Sequence, residues 1–176
     1  MAETDQELAL RARHGEVAAF AVLLRRNYDL IYRVAYRFLG SPADAEDVAQ
    51  DVCSRLAEKI VGFRGQSRFS TWLYSVTLNA VRDHGRRQRG LAALSGIYAR
   101  LAEQRAADWA DSEGRVRWLY LALDRLDAGL KETALLILGE DMSHAAAAEI
   151  LGIREGTVAW RMSEVKKQLK AMAHHD

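Results

Sequence analysis

Apolar residues recur at three- and four-residue intervals along most of this chain, and that spacing constrains the fold more than any other feature. Leu23, Ile31, Val34 and Phe38 follow one such face. Spacing of this kind predicts an amphipathic helix. Proline, the strongest helix breaker, occurs once, at Pro42, whereas alanine, leucine, arginine and glutamate are frequent. The sequence therefore predicts an all-α protein.

Length and charge limit the organisation of these helices. With 176 residues the chain has room for one ordinary domain or two small ones. The periodicity weakens over 90–114, where small residues end in a polar turn, so we expect a flexible linker there between two small helical domains, 1–89 and 115–176. The formal net charge is only +1, so any nucleic-acid surface must be a local patch. The single Cys53 allows no disulfide and is interpreted as a small core residue.

Several classes of function find no support in the sequence. No P-loop, no H-E-x-x-H zinc motif and no G-x-S-x-G nucleophile motif occurs. We therefore expect neither an enzyme nor a cofactor, and no metal site, since His174 and His175 are interpreted as a frayed tail. No signal-peptide pattern and no membrane-length apolar run is found, which predicts a cytoplasmic protein without direct membrane contact.

Short capping motifs predict where individual helices begin. Thr4 and Glu7 form the pattern of a capping box. Ser41 followed by Pro42 predicts a second start, with proline at the first helical position. Ser70 and Thr71 are candidate acceptors for the first turn of a further helix.

The stretch Gly62–Arg89 combines a polar loop bounded by glycines, a helix with aromatic residues, and a basic end. One predicted face of the helix is a mixed apolar face, formed by Trp72, Val76, Asn79, Ala80 and Asp83. The basic end consists of Arg82, Arg86, Arg87 and Arg89. Two interpretations remain open: a surface that stacks on a nucleic acid and neutralises its charge, or a core helix with a solvated basic end.

The helix predicted after Ser41 has an apolar face and an acidic face. The apolar face carries Ala45, Val48, Ala49, Val52 and Leu56, and the polar face carries Asp44, Glu46, Asp47, Gln50 and Asp51. Acidic residues near a helix N-terminus suit the helix dipole. The polar face is consistent either with simple solvation or with a docking surface.

The last part of the chain predicts a helix-turn-helix. A first stripe is formed by Val116, Leu119, Tyr120, Leu123 and Leu126, and a second by Leu130, Ala134, Leu135 and Leu138. Ser143 then caps a short helix that ends at Gly152, and a basic helix begins near Glu155. In this motif the second helix reads the major groove through its N-terminal residues. An ordinary helical hairpin is the alternative.

Three strings of residues together resemble the sigma-70 family, and specifically its small extracytoplasmic-function (group IV) members. They are DAEDVAQDV at 44–52, FSTWLYSVTLNAVRDHGRRQR at 69–89 and LGIREGTVAWRMSEVKKQL at 151–169. The first two, in this order and spacing, are highly specific. The resemblance implies a sigma region 2 bundle at 1–89, a region 4 helix-turn-helix at 115–176, and an alternative sigma factor that directs core RNA polymerase to promoters and helps to open them.

The resemblance also implies three surfaces, each carried over onto matching positions. The surface that docks on the beta′ clamp helices of core RNA polymerase comprises Asp44, Glu46, Asp47, Gln50 and Asp51. The surface that captures a flipped base and the separated strand of the minus-ten element comprises Arg64, Ser67, Arg68, Trp72, Asn79, Arg82, Asp83, Arg86 and Arg87. The surface that reads the minus-thirty-five duplex comprises Arg154, Glu155, Thr157, Trp160, Arg161, Glu164 and Lys167.

Further partners follow from the same resemblance. They are the beta flap of the polymerase, promoter DNA, and an inhibitory anti-sigma factor, anchored in the membrane, whose cytosolic domain masks both lobes. Two other classes stay open from the residues alone. One is a dimeric helix-turn-helix repressor or activator that works without polymerase, and the other is a sigma mimic that sequesters an anti-sigma factor.

The chain departs from the family pattern at three places. Asp127 stands where a proline commonly follows the leucine, which predicts a softer bend. Residues 145–147 are all alanine where a glutamate-containing stretch is usual. Trp160 replaces a lysine or serine, and its ring can contact a thymine methyl or stack on a sugar but cannot bind a phosphate.

Overall fold

The computed structural model describes residues 3–95 and 114–173, and every element in these two ranges is helical. The all-α prediction is therefore confirmed. Spatial contacts divide the chain into two compact units, Met1–Gly96 and Ile97–Asp176. The predicted linker lies largely at 96–113, outside the described residues, as do His174 and His175. The boundaries of the two domains and the linker thus remain predictions. No helix in the described part is long and apolar enough to cross a membrane.

Within residues 3–95, the N-terminal unit contains four α-helices and one 3₁₀ turn. They are α1 (Asp5–Arg13), α2 (Val17–Leu39), α3 (Pro42–Lys59), the turn Ile60–Gly62 and α4 (Phe69–Ser95). Helix α2 packs against the other three helices. The backbone of α4 continues five residues beyond Gly90, into the range predicted to be linker.

The predicted helix starts of this unit are mostly confirmed. The Thr4 hydroxyl accepts the Glu7 N–H, and the Glu7 carboxylate accepts the Thr4 N–H, which makes a complete capping box. Ser41 accepts the Asp44 N–H at 3.3 Å, and Pro42 is the first residue of α3. Each start satisfies backbone donors that would otherwise lack a partner.

The predicted apolar face of α3 is confirmed without exception. All five of its members are buried: Ala45, Val48, Ala49, Val52 and Leu56. They pack towards α2 and α4, and α2 contributes the predicted Leu23, Ile31 and Val34, all at 0% exposure. This core fixes the opposite, polar face of α3 outward.

Helix α4 buries a different face from the one that the sequence predicted. Its buried residues are Phe69, Leu73, Tyr74, Thr77, Leu78 and Val81. The predicted mixed face lies at the side, with Trp72, Val76 and Ala80 partly buried and Asn79 and Asp83 exposed. Thr77, at 0% exposure, donates its hydroxyl to the Leu73 carbonyl and therefore behaves as a core residue.

The C-terminal unit contains α5 (Gly114–Asp124), α6 (Ala128–Ala134), a π-helical turn (Leu135–Gly139), α7 (His144–Leu151) and α8 (Glu155–Ala173). The π turn makes part of one predicted apolar stripe wrong. It is wider than a turn of α-helix, so the side chains along it point in other directions than a regular helix would give. Leu136 is fully buried, whereas Leu138, predicted inside, is 56% exposed. Val116 lies in the part of α5 whose side chains are not described.

The helix-turn-helix geometry follows from two caps and one glycine. Ser143 accepts the Ala146 N–H at the start of α7. Gly152 ends α7 with a φ of 67°, a left-handed conformation that glycine adopts without strain. Helix α8 starts at Glu155, and its Val158, Met162 and Val165 are buried. At Asp127 the missing proline is replaced by a cap, since the carboxylate accepts the Gly129 N–H at 2.9 Å.

Candidate functional site

The polar face of α3 is open to solvent but held in place by its neighbours. The Asp44 carboxylate lies 3.0 Å from the His84 ring of α4. Asp51 pairs with Arg55 one turn along at 2.9 Å. Asp47 is exposed. None of the five residues predicted to dock on polymerase is buried, so the structure gathers them on one accessible surface.

Glu46 is fixed by two donors at the middle of this surface. The Tyr28 hydroxyl donates to its carboxylate at 2.9 Å, and the Gln50 amide donates at 3.0 Å. The hydrogen bonds from Gln50 and Tyr28 hold the pKa of the Glu46 carboxyl below its ordinary value. The same carboxylate raises the pKa of Tyr28, because it accepts a hydrogen bond from the phenol hydroxyl. A carboxylate and a neutral phenol therefore coexist here at neutral pH.

Cys53 lies two turns after Glu46 on α3. Its side chain is partly buried, which departs from the prediction of a core residue. Burial, with a smaller contribution from the charge of Glu46, raises the pKa of the thiol. The thiol is therefore a poor nucleophile at neutral pH.

A cleft of about 400 Å³ lies between the acidic face of α3 and the basic end of α4. It is lined by Asp47, Val48, Asp51, His84, Arg87 and Gln88. The structure thus places residues predicted for polymerase docking beside Arg87, which is predicted for DNA binding. The two surfaces are continuous within the N-terminal unit.

The loop predicted to capture a base is closed at its root by aromatic rings. Phe63 and Phe69, at 1% and 2% exposure, pack edge to face with ring centroids 5.7 Å apart. The ring centroid of Trp72 lies 5.4 Å from that of Phe63 and 5.7 Å from that of Phe69. Between the two phenylalanines, Arg64 and Arg68 are exposed and Ser67 is partly exposed. Trp72, which was predicted to lie on the DNA-binding surface, therefore packs its ring against the two phenylalanines at the root of the loop.

Helix α1 holds the same loop from outside the predicted site. The Gln6 amide donates to the Ser67 carbonyl at 3.3 Å and accepts the Phe69 N–H at 2.7 Å. The second bond caps α4, a role the sequence had suggested for Ser70 and Thr71, which lie inside the first turn instead. Gly65, with a φ of 70°, has the Leu10 side chain against the position a Cβ would occupy, at 3.4 Å.

Beyond the loop, the exposed side of α4 carries the predicted strand-binding residues. Arg82 donates to the Asn79 amide oxygen at 3.2 Å, and Arg86 pairs with Asp83. These contacts join residues three apart on one helix and are solvent-exposed, so each is worth only about 0.2–1 kcal/mol. A phosphate can therefore displace them.

Helix α8 presents most of its predicted duplex-reading residues at the surface. Arg154, Glu155, Trp160 and Lys167 are exposed, with Trp160 at 63%. Thr157 and Glu164 are partly exposed, and Glu164 accepts the Gln168 amide at 3.0 Å. These side chains do not belong to the buried face of α8, which Val158 and Val165 form. They lie on the part of the helix that solvent reaches.

Arg161 is placed differently from the other predicted residues of α8. Its guanidinium turns back to α6, where it donates to the Gly129 carbonyl at 3.3 Å and lies 3.5 Å from the Thr133 hydroxyl. A Cβ on Gly129 would lie 3.1 Å from its central carbon, so the absence of a side chain there makes room for the guanidinium. Arg161 thus joins two helices within the unit through one nitrogen of its guanidinium.

Three contributing residues were not found from the sequence. Gln6 and Tyr28 contact sites 61 and 18 residues away, and no local pattern signals such pairs. His84 likewise meets Asp44 from 40 residues away. Among the described residues no group of three or more His, Cys, Asp or Glu side chains could hold a metal ion.

The comparisons with known proteins agree with the motifs. The family model for sigma-70 region 2 matches residues 23–90, which span α2 to most of α4. The chain is 31% identical over 153 residues to the extracytoplasmic-function sigma factor SigE of Mycolicibacterium smegmatis, covering 84% of this chain but only 59% of that protein. It is 28% identical over 173 residues to SigW of Bacillus subtilis, covering 91% of each.

A solved structure supports the same assignment. The structure of CnrH in complex with the cytosolic domain of CnrY has a TM-score of 0.71 and 27% sequence identity, covering 99% of each chain. The match therefore extends over both units. It includes the helix-turn-helix, which the family model does not reach.

Proposed function

Because the chain belongs to the extracytoplasmic-function group of the sigma-70 family, we propose that it directs core RNA polymerase to specific promoters and helps to open them. It would act in the cytoplasm, by binding alone, without a cofactor or a catalytic residue of its own. The observation that carries the proposal is the continuous surface of the N-terminal unit, where the accessible acidic face of α3 adjoins the basic end of α4.

The acidic face of α3 is the proposed contact with the beta′ clamp helices of polymerase. Its fixed carboxylates support this role, because Glu46 and Asp44 are already oriented by Tyr28 and His84. A preoriented charged group loses less conformational entropy on binding than a free one. Asp47, which follows Glu46 and is exposed, would supply the least constrained charge.

The loop after Phe63 and the outer side of α4 are the proposed minus-ten surface. A base taken out of the stack needs a pocket that is already formed, because unstacking costs a few kcal/mol. The aromatic root of the loop gives it a rigid base, and Arg64 and Arg68 are exposed on it. The arginines of α4 would then hold phosphates of the separated strand.

The helix-turn-helix of the C-terminal unit is the proposed reader of the minus-thirty-five duplex. The exposed Trp160 and Arg154 would reach the bases, while Lys167 would contact a phosphate. Arg161 would contribute by fixing α8 against α6. Two such units on one chain need only modest separate affinities, because tethering raises the effective concentration of the second contact.

Regulation by an anti-sigma factor is part of the proposal. CnrH, which is similar to this chain over its whole length, was solved with the cytosolic domain of CnrY bound. We expect a cytosolic domain of comparable kind, belonging to a membrane-anchored protein, to cover the polymerase- and DNA-binding surfaces of this chain. The beta flap is the expected polymerase partner of the C-terminal unit.

Transcription with purified core RNA polymerase tests the proposal. The chain is expected to bind core polymerase, to show negligible affinity for promoter duplex by itself, and to support run-off transcription from promoters identified by sequencing DNA bound to the holoenzyme. Absence of core binding would overturn it. Tight duplex binding by the chain alone would favour a repressor or activator instead. Absence of promoter opening, together with anti-sigma binding that survives alanine replacement of Arg82, Arg86 and Arg87, would favour a sigma mimic.

A further inference from the structure

We propose that Gln6 is a positioning residue that holds the base-capturing loop in its binding conformation. The inference rests on the proposed function, because it concerns how the minus-ten surface is kept ready. Gln6 lies on α1, which none of the three predicted surfaces includes. Its side chain nevertheless reaches both ends of the segment Ser67–Phe69.

The two hydrogen bonds of Gln6 act on backbone atoms of the loop. The amide nitrogen donates to the Ser67 carbonyl, and the amide oxygen accepts the Phe69 N–H. Because one amide group satisfies both, the peptide planes on either side of Arg68 cannot rotate independently. The direction in which the Arg68 side chain leaves the loop is therefore set by a residue more than sixty positions earlier in the chain.

A second residue of α1 restrains the start of the same loop. The Leu10 methyl group lies against Gly65, one turn along from Gln6 and on the same face of the helix. Phe63 and Phe69 close the root. These contacts fix the backbone from 63 to 69 and leave Arg64, Gln66 and Arg68 exposed. The loop is thus prepared before DNA arrives, and its ordering does not have to be driven by binding.

The partly buried setting makes these bonds specific to glutamine. An alanine at position 6 leaves the Ser67 carbonyl and the Phe69 N–H without this partner. A glutamate can still accept the Phe69 N–H, but it cannot donate to the carbonyl and places a negative charge against it. The two substitutions therefore remove two bonds and one bond, respectively, with little change in the remaining contacts of α1.

The test uses holoenzyme and fork-junction promoter DNA, in which each minus-ten position is made abasic in turn. The ratio of affinities for intact and abasic DNA measures how well the loop captures the missing base. We expect Gln6→Ala to lower this ratio by about tenfold at the captured position, the size expected for two ordinary hydrogen bonds. Gln6→Glu should fall between Gln6→Ala and wild type.

Asp5→Ala is the matched control. Asp5 links α1 to α2 through Asn27 at 2.8 Å and Arg26 at 3.2 Å, and it does not touch the loop. It should weaken the attachment of α1 while leaving the intact-to-abasic ratio as in wild type. Urea unfolding of each variant measures how far the fold itself is affected.

The outcomes are separable. If Gln6→Ala keeps the wild-type ratio, or weakens intact and abasic DNA equally, Gln6 has only a structural role and the inference is wrong. If the wild-type holoenzyme itself shows no preference for an intact base at any position, the proposed minus-ten role of the loop fails first. A tenfold loss confined to the Gln6 variants supports the positioning role.

Discussion

Two tryptophans predicted to face DNA illustrate how differently the two units are built. Trp72, in the N-terminal unit, packs against Phe63 and Phe69 and supports the loop. Trp160, in the C-terminal unit, is 63% exposed on α8. A similar contrast holds for two predicted arginines of the C-terminal unit, since Arg161 is bonded to α6 whereas Arg154 is exposed.

The contrast shows that prediction of a surface from a motif mixes two kinds of residue. Some residues shape the surface, and others contact the partner. A family motif selects both together, because loss of either would abolish binding. Burial and intramolecular bonds separate them, and substitutions should then separate them in solution.

The largest expected effect compares the two tryptophans directly. Trp72→Ala should lower the free energy of unfolding by about 3 kcal/mol, because it removes a large ring from an aromatic cluster. Trp160→Ala should change it by no more than about 0.5 kcal/mol, as for other exposed positions. Urea unfolding followed by far-ultraviolet circular dichroism measures both. Equal losses of stability would contradict the distinction.

Binding should reverse the order of the two tryptophan variants. Trp160→Ala is expected to weaken binding of holoenzyme to promoters that depend on the minus-thirty-five element by about tenfold, the loss that goes with about 1.4 kcal/mol of base contact. It should have little effect on fork-junction DNA that carries only the minus-ten element. Competition binding with the two DNAs measures the difference.

A second pair tests the arginines of the C-terminal unit. Arg161→Ala should lower the free energy of unfolding by about 1 kcal/mol, since it removes partly exposed hydrogen bonds from a charged group. Arg154→Ala should leave stability unchanged and weaken duplex binding. Gly129→Ala is a further probe, because the added Cβ displaces the guanidinium of Arg161. A stable Arg161→Ala variant that loses promoter selectivity would make Arg161 a DNA contact.

Salt dependence should separate the two DNA surfaces. Arg87→Ala is expected to reduce the slope of log affinity against log salt by about one on fork-junction DNA, and Lys167→Ala by about one on minus-thirty-five duplex, because each loses one phosphate contact. Lys59→Ala, at the exposed end of α3, should change neither slope. If each variant alters both slopes, the division into two surfaces is wrong.

The smallest effect concerns the proposed polymerase-binding face of α3. Because the pKa of Glu46 is lowered in the folded protein, its carboxylate stabilises the fold above the ordinary glutamate pKa. That stabilisation is lost as the pH falls through the lowered folded-state value. Glu46→Gln should therefore lose less stability than wild type on acidification. Urea midpoints from neutral to acid pH provide the comparison.

Much of the fold could be predicted from local rules. Capping residues at Thr4, Ser41 and Ser143, and the glycine at 152, act within one helix turn, so sequence spacing contains the relevant information. The buried face of α3 was predicted completely because a regular helix repeats every 3.6 residues. The π turn Leu135–Gly139 breaks this repeat, and the prediction for Leu138 was wrong there.

The candidate site was less accessible to such reasoning. Which residues belong to it followed from the family motif, but the arrangement of their side chains depends on contacts between distant positions. Tyr28, His84 and Gln6 each hold a predicted residue or loop from another helix. Nothing in a single sequence pairs position 6 with position 69, because the distance between them is set only once the helices have packed.

The Gln6 bonds also have a consequence for how the protein is made. During translation the N-terminal helix leaves the ribosome well before its partners at Ser67 and Phe69. At about 5–20 residues per second, the delay over the intervening chain is roughly 3–13 s. Until then the nascent unit lacks the brace for its loop. The proposed minus-ten surface is therefore completed late in the synthesis of its own domain.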